Sequence, residues 1–274
     1  PDLTNSPSLK GGVHMNELTA GSELLHPTYE TGLVALSYCI SVLGAFVALT
    51  AAQRIRANRG GINWLNLLAA GTALGGIGVW SMHFTGMLAL NLGMASGYSA
   101  FETVISLIAA IGATSAALAY VAKDPKNNAR VLTAGAFLGL GVAVMHYLGM
   151  YGMRFPGYIV WSWDVVALSV AIAVVAASAA LWLAFRSSSL ALRGVAAAVM
   201  GVAVCSMHYT GMNAADFVCT STTQRFATPQ GLLVFSSMDL PLLTAIAAIG
   251  MAVLIGYDQV LQRNFNKSNS MYRA

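Results

Sequence analysis

Seven stretches of this chain are apolar over the length needed to cross a bilayer, and that limits what it can fold into. They run near 31–53, 62–87, 100–122, 130–153, 164–186, 191–214 and 239–260. Each reaches the roughly 20 residues that carry a helix across a hydrocarbon core of about 30 Å. Only 9% of the residues are charged and 57% are hydrophobic, whereas about a quarter of a soluble domain is charged. The expectation is an all-α integral membrane protein of seven transmembrane helices embedded in the lipid bilayer. The spans leave only short loops, so these 274 residues have no room for a soluble catalytic domain.

Lysine and arginine divide between the two sides. Arg54, Arg56, Arg59, Lys123, Lys126, Arg130, Arg186 and Arg193 fall on one side, joined by Arg263, Lys267 and Arg273 after the last span. The other side has Lys10, Arg154 and Arg225 against acids that include Glu17, Glu23, Asp216 and Asp239. The positive-inside bias then predicts an inner-membrane, multi-pass protein with its N-terminus outside and its C-terminus cytoplasmic. The expected division is a polar outer segment over 1–28, a membrane domain over 29–260 and a basic tail over 261–274. The net charge of +4 is a topology signal. Scattered through loops, it forms no stripe that would bind nucleic acid. The polar N-terminal segment lacks the layout of a cleavable signal peptide. Cys39, Cys205 and Cys219 form no disulfide framework.

One hexapeptide occurs three times at the ends of the even spans: Met82-His83-Phe84-Thr85-Gly86-Met87, Met145-His146-Tyr147-Leu148-Gly149-Met150 and Met207-His208-Tyr209-Thr210-Gly211-Met212. The histidines are 63 and 62 residues apart, a period that signals internal repeats. Gly76, Gly139 and Gly201 stand seven residues before them, and Val79, Val142 and Val204 four before. The odd spans open with Glu30, Glu102, Asp164 and Asp239, which suit the positive end of a helix dipole. The predicted unit is a helical hairpin of odd and even span, present three times, with a seventh helix completing the set.

In a helix, residues four apart share a face. His83 with Met87, His146 with Met150 and His208 with Met212 would each offer an imidazole and a thioether to one neighbour, all at one depth. Met82, Met145 and Met207 point about 100° away and are second-rank ligand candidates. A lone histidine there would ordinarily be interfacial, and a lone methionine filler. Three copies in fixed register make a metal site the better account, since ionisable residues within membrane bundles mark function. Thioethers select copper(I) and imidazole suits copper. Zinc more often recruits cysteine or carboxylate, and haem ligation by His or Met is chemically open but lacks apparent room. Phe84 and Leu148 break the pattern of hydroxyls, so the shared chemistry does not depend on them. His26, Met94, Met153 and Cys205 fit surface or packing roles.

The tripled motif on seven spans, from about Tyr29 to Tyr257, resembles the MHYT family of bacterial integral membrane sensor domains. The resemblance implies sensing of a diatomic gas (oxygen, carbon monoxide or nitric oxide) through copper near the outer face. The implied ligands are Met82, His83, Met87, Met145, His146, Met150, Met207, His208 and Met212. Phe84 stands where the motif has Tyr and Leu148 where it has Thr, which leaves those ligands intact. Many members continue into cytoplasmic domains that make or degrade cyclic di-GMP. This chain ends at Ala274, as a stand-alone member or a sensor cut from its output domain, so such a domain or protein is an expected partner.

The expected function is therefore a copper-binding sensory module rather than an enzyme, responding to a gas or to the metal itself. Two other classes remain open: a copper transporter or channel with a methionine-rich entry, and a membrane oxidoreductase using copper or haem. A transporter would need a polar path through the membrane, for which Ser37, Ser106, Ser169 and Thr244 are the few candidates.

Overall fold

A computed structural model of the protein describes residues 23–25, 27–56, 61–186, 189–220, 233–236 and 239–271. His26 lies outside them, with Lys10, Glu17, Arg59, Arg225 and Arg273. Seven helices are long and apolar enough to cross a membrane: α1 (Thr31–Ala52), α2 (Trp64–Leu88), α3 (Ala100–Ala122), α4 (Asn128–Tyr151), α5 (Trp163–Arg186), α6 (Leu190–Asn213) and α7 (Asp239–Met271). They match the predicted spans closely, except that α7 carries the helix past residue 260 into the segment expected as a tail.

Among the described residues, eight short strands connect the helices at one end: β1 (Glu23–Leu24), β2 (Thr28–Tyr29), β3 (Leu90–Asn91), β4 (Gly97–Ser99), β5 (Met153–Arg154), β6 (Gly157–Trp161), β7 (Ala215–Cys219) and β8 (Val234–Ser236). Their pairing reveals the repeat. The strand entering each hairpin pairs antiparallel with the strand leaving it, β2 with β3, β4 with β5 and β6 with β7. The unit is therefore strand–helix–helix–strand, present three times, with β8 and α7 appended. Crosslinks between units come from β8 on β4 and β1 on β7. Strands of two to five residues carry too little alternation to be read from sequence.

At the opposite end the even helices begin at matching caps. Asn63, Asn127 and Ser189 each accept a hydrogen bond from the backbone N–H three residues on, at 3.1, 3.1 and 3.2 Å, satisfying a donor the helix leaves free. Arg54, Arg56, Lys123, Lys126, Arg130, Arg186 and Arg193 flank these starts and the ends of α1, α3 and α5.

The first six helices form a ring in which each packs on the next, and α1 closes it by packing on both α6 and α2. The seventh helix completes the set from outside, alongside α1 and α2. This makes α2 the most enclosed span. A Cβ on Gly44 of α1 would lie 2.3 Å from the Gly78 backbone nitrogen, so these helices touch backbone to backbone as small residues permit. Squeezed between α1 and α3, residues Thr72–Ser81 of α2 wind as a π-helix, a rare conformation that is frequent at functional sites. It returns to α-helix at Met82, immediately before the first histidine.

Lipid-facing surfaces carry large apolar side chains such as Phe101, Ile108, Leu132, Val175, Val199 and Leu254. Exposed Trp64 and Trp163 stand at opposite ends of the bundle, where tryptophan favours the two membrane interfaces.

Candidate metal centre

Each hexapeptide occupies the last turns of α2, α4 or α6, under the strands. The ring brings the three histidines together. His83 Nδ1 lies 3.1 Å from His208 Nδ1 and 3.1 Å from His146 Nδ1, and the third side of the triangle is 3.3 Å. The imidazoles stand nearly perpendicular to one another, at 81°, 83° and 90°. All three residues are 1% exposed.

The motif glycine is what lets them meet. His83 Nε2 would lie 2.4 Å from a Cβ on Gly149, His146 Nε2 2.4 Å from one on Gly211, and His208 Nε2 2.5 Å from one on Gly86. Each imidazole therefore rests on the glycine of the next repeat, in cyclic order, where any side chain would displace it. The three Nε2 atoms are buried without a hydrogen-bond partner, so the rings are held by packing and by what their Nδ1 atoms share.

Three imidazole nitrogens this close cannot all turn protons on one another, and three lone pairs at one point repel. A shared cation removes the conflict. The triangle's centre is about 1.8 Å from each nitrogen, against about 2.0–2.1 Å for an imidazole–metal bond. His83, His146 and His208 would thus be able to hold one metal ion between them. Among the described residues this is the one cluster of three metal-ligating His, Cys, Asp or Glu side chains. The donor set fits a copper or zinc ion.

All six motif methionines are buried. Met87, Met150 and Met212 are all buried in one apolar cluster with Tyr98 and Phe217 of the strands. One turn beyond the histidines, they lie between the triangle and the strand cap. Met82 and Met207 are equally buried in two other clusters, while Met145 packs in the same cluster as Met87, Met150 and Met212. Met94 and Met153 pack in the cap cluster, and Cys205 against the α1–α6 side.

Sequence alone did not reveal what the motif aromatic does. Tyr147 hydrogen-bonds Ser169 on α5, and Tyr209 bonds Ser37 on α1 at 2.9 Å. Each serine also donates to the carbonyl three residues earlier, Val166 or Val34. Phe84 has no hydroxyl, and Trp80 supplies the missing donor: its Nε1 reaches Ser106 Oγ at 3.0 Å and Thr103 O at 3.2 Å on α3. Trp80 packs on Phe84 with ring centroids 4.9 Å apart. The signal was the recurring serine of Val34-Ala-Leu-Ser37 and Val166-Ala-Leu-Ser169 paired with the motif position after histidine. Above this layer, Tyr29 of β2 meets Tyr209 edge-on at 5.6 Å. Burial and the Tyr209 phenol push its hydroxyl up to about 12. Arg154, one of the cations of the outer side, pairs with Glu102 at 2.8 Å, and Ser99 donates to the same carboxylate.

On the other side of the triangle is an apolar cavity of about 30 Å³. Val79, Val142 and Val204, four residues before each histidine, line it together with Met207, Leu138 and Ala177. The hydroxyl of Thr114 in its wall is committed to Ala110 O at 2.7 Å. About 10–15 Å³ measured this way holds one water, and apolar cavities stay dry, so the space suits one small apolar molecule.

Comparison with known proteins places these features in a lineage. The family model MHYT, described as a bacterial signalling protein N-terminal repeat, matches residues 76–134, 139–197 and 201–264. Each match begins at the glycine seven residues before a motif histidine. The chain is 39% identical over 201 residues to the bifunctional diguanylate cyclase/cyclic di-GMP phosphodiesterase MucR of Pseudomonas aeruginosa, covering 71% of this chain and 29% of that protein. It is 31% identical over 200 residues to the signaling protein YkoW of Bacillus subtilis, covering 70% and 25%. It is also 31% identical over 203 residues to the cyclic di-GMP phosphodiesterase NbdA of P. aeruginosa, covering 71% and 25%. The chain thus spans under a third of the length of these relatives. No solved structure matches it. With three matched repeats, each carrying a histidine of one buried triangle, this seven-helix membrane protein belongs to the MHYT family of bacterial signalling proteins.

Proposed function

We propose that the protein is a copper-binding membrane sensory domain in which His83, His146 and His208 hold one ion that responds to a diatomic gas or to copper supply. The observation that carries this is the triangle of Nδ1 atoms at 3.1–3.3 Å. Zinc fits the three nitrogens equally well. The thioethers of Met87, Met150 and Met212 one turn away favour copper(I), because soft sulfur selects it. Bound copper supplies the affinity for a diatomic ligand. The chain's own residues bring the imidazoles together from three repeats, exclude water beneath the strand cap, and leave a dry cavity of about 30 Å³ beside them.

Signal transfer follows from the same arrangement. The ligands sit on the ends of three helices from three repeats, so a change in the triangle alters how those ends pack. A ligand shifts that equilibrium only through its different affinity for the two states. The bias of Lys and Arg supports an orientation with the triangle outside and the basic end in the cytoplasm. The likeness to MucR and NbdA supports cyclic di-GMP turnover as the output, in a joined domain or a separate protein. A transport path has weaker support, because Ser37, Ser106, Ser169 and Thr244 each spend their proton on their own helix.

Infrared spectroscopy of copper(I)-loaded protein under carbon monoxide tests the reading. It predicts a single C–O stretching band that vanishes when the three histidines are changed to alanine. A copper-loaded protein without such a band would refute gas sensing at this site while leaving sensing of the metal intact.

A further inference from the structure

The end of the bundle opposite the histidines holds a second concave site. A cavity of about 700 Å³ opens there between the ends of α1, α3 and α5, which come from three different repeats. Its lining includes four cations, Arg56, Lys123, Lys126 and Arg186, against one acid, Asp124. Ala52 and Phe185 add apolar wall at the point where α1 and α5 leave the membrane span.

A positive-inside bias alone requires only that basic residues lie on this side, not that they face one cavity. Four like charges around a common mouth repel one another, and in the low dielectric at a membrane edge the repulsion is weakly screened. A bound anion reverses the sign of that energy. The mouth is also built. Gln53 Nε2 donates to Ala184 O at 2.8 Å, fixing the end of α1 against α5. Arg186 is held over the Trp182 ring at 5.0 Å and donates to Asn128 at 2.8 Å. Its planar guanidinium is thereby pre-positioned, and that group pairs well with phosphate oxygens.

We propose that this mouth binds the phosphodiester headgroup of an anionic phospholipid. A basic pocket between transmembrane helices is the setting in which such headgroups are recognised. The apolar residues beside the cations favour a lipid, whose acyl chains continue along the helices, over a free phosphate. The site joins one helix end from each repeat, so an occupied mouth would tie the three units together at the end remote from the histidines. The inference is independent of what the histidines hold.

Native mass spectrometry of detergent-purified protein titrated with short-chain phosphatidylglycerol or phosphatidylethanolamine tests it. The native chain should retain phosphatidylglycerol at least about tenfold more strongly than the zwitterionic lipid. The double variant Lys123→Gln/Arg186→Gln should lose that preference. Arg130→Gln removes a charge from the same end, but Arg130 stacks on Tyr120 away from the mouth and this variant should keep the preference. Equal binding of the two lipids overturns the proposal. So does an equal loss in Arg130→Gln, which would mean general surface charge. Displacement of the lipid by millimolar inorganic phosphate or a soluble phosphodiester would assign the mouth to a free anion and overturn the lipid. A thermal melt of each variant without lipid identifies any that fails to fold, and Lys126→Gln alone then serves as the milder substitute.

Discussion

The imidazole of His83 rests on Gly149, with Nε2 at the place where a Cβ would lie 2.4 Å away. The same contact joins His146 to Gly211 and His208 to Gly86, so each repeat supplies one ligand and the floor for another. The glycine of the motif is thus a condition of the site, beyond its part in helix packing.

Gly149→Ala should push His83 out of the triangle. Overpacking of a dense interior costs about 1–3 kcal/mol, so the detergent melting temperature should fall and metal binding should weaken sharply. Gly112→Ala on α3, where a Cβ meets nothing within 4 Å, should leave both unchanged. Thermal melts paired with metal analysis of the two variants check this.

Trp80→Phe removes the donor that stands in for the missing tyrosine hydroxyl. A lost buried hydrogen bond that leaves its partner unsatisfied costs about 1–3 kcal/mol. Adding Phe84→Tyr should recover part of the loss by restoring the hydroxyl–serine bond seen at Tyr147 and Tyr209. A double variant no more stable than Trp80→Phe would show that the indole acts through its bulk alone.

Glu102→Gln should matter little. Its ion pair with Arg154 has a 39% exposed arginine side chain, and such pairs contribute about 0–1 kcal/mol. Metal content should be unchanged, and the melting temperature should shift by no more than a few degrees.

Ala177→Leu fills the cavity below the triangle without touching a histidine. Copper content should stay at the native value while the response to carbon monoxide slows or weakens. An unchanged gas response in this variant would remove the cavity from the sensing reaction.

The seven spans, the threefold hairpin and the histidine triad were legible because each rests on a strong pattern: apolar length, a fixed period and a repeated ionisable residue in lipid. The packing of the motif methionines was not, since all six are buried and only tertiary contacts set Met82 and Met207 apart from Met87, Met145, Met150 and Met212. Nor was the pairing of Arg154 with Glu102, 52 residues apart in sequence, because a contact between the two ends of one hairpin leaves no local mark. The strand cap was hidden by its brevity, and the π-helix at Thr72–Ser81 by its resemblance to any glycine-rich membrane segment. Trp80 stands where the other two repeats have Ala143 and Cys205. Its departure from the repeat compensates for that of Phe84, which becomes visible only when Ser106 is in place.

The central claim is that one ion is shared by three histidines. Purified protein loaded with copper(I) and freed of excess should carry one copper per chain by elemental analysis and native mass spectrometry. Each of His83→Ala, His146→Ala and His208→Ala alone should lower that occupancy, and the triple variant should carry none. Three coppers per chain, or one copper that survives in the triple variant, would contradict a shared site.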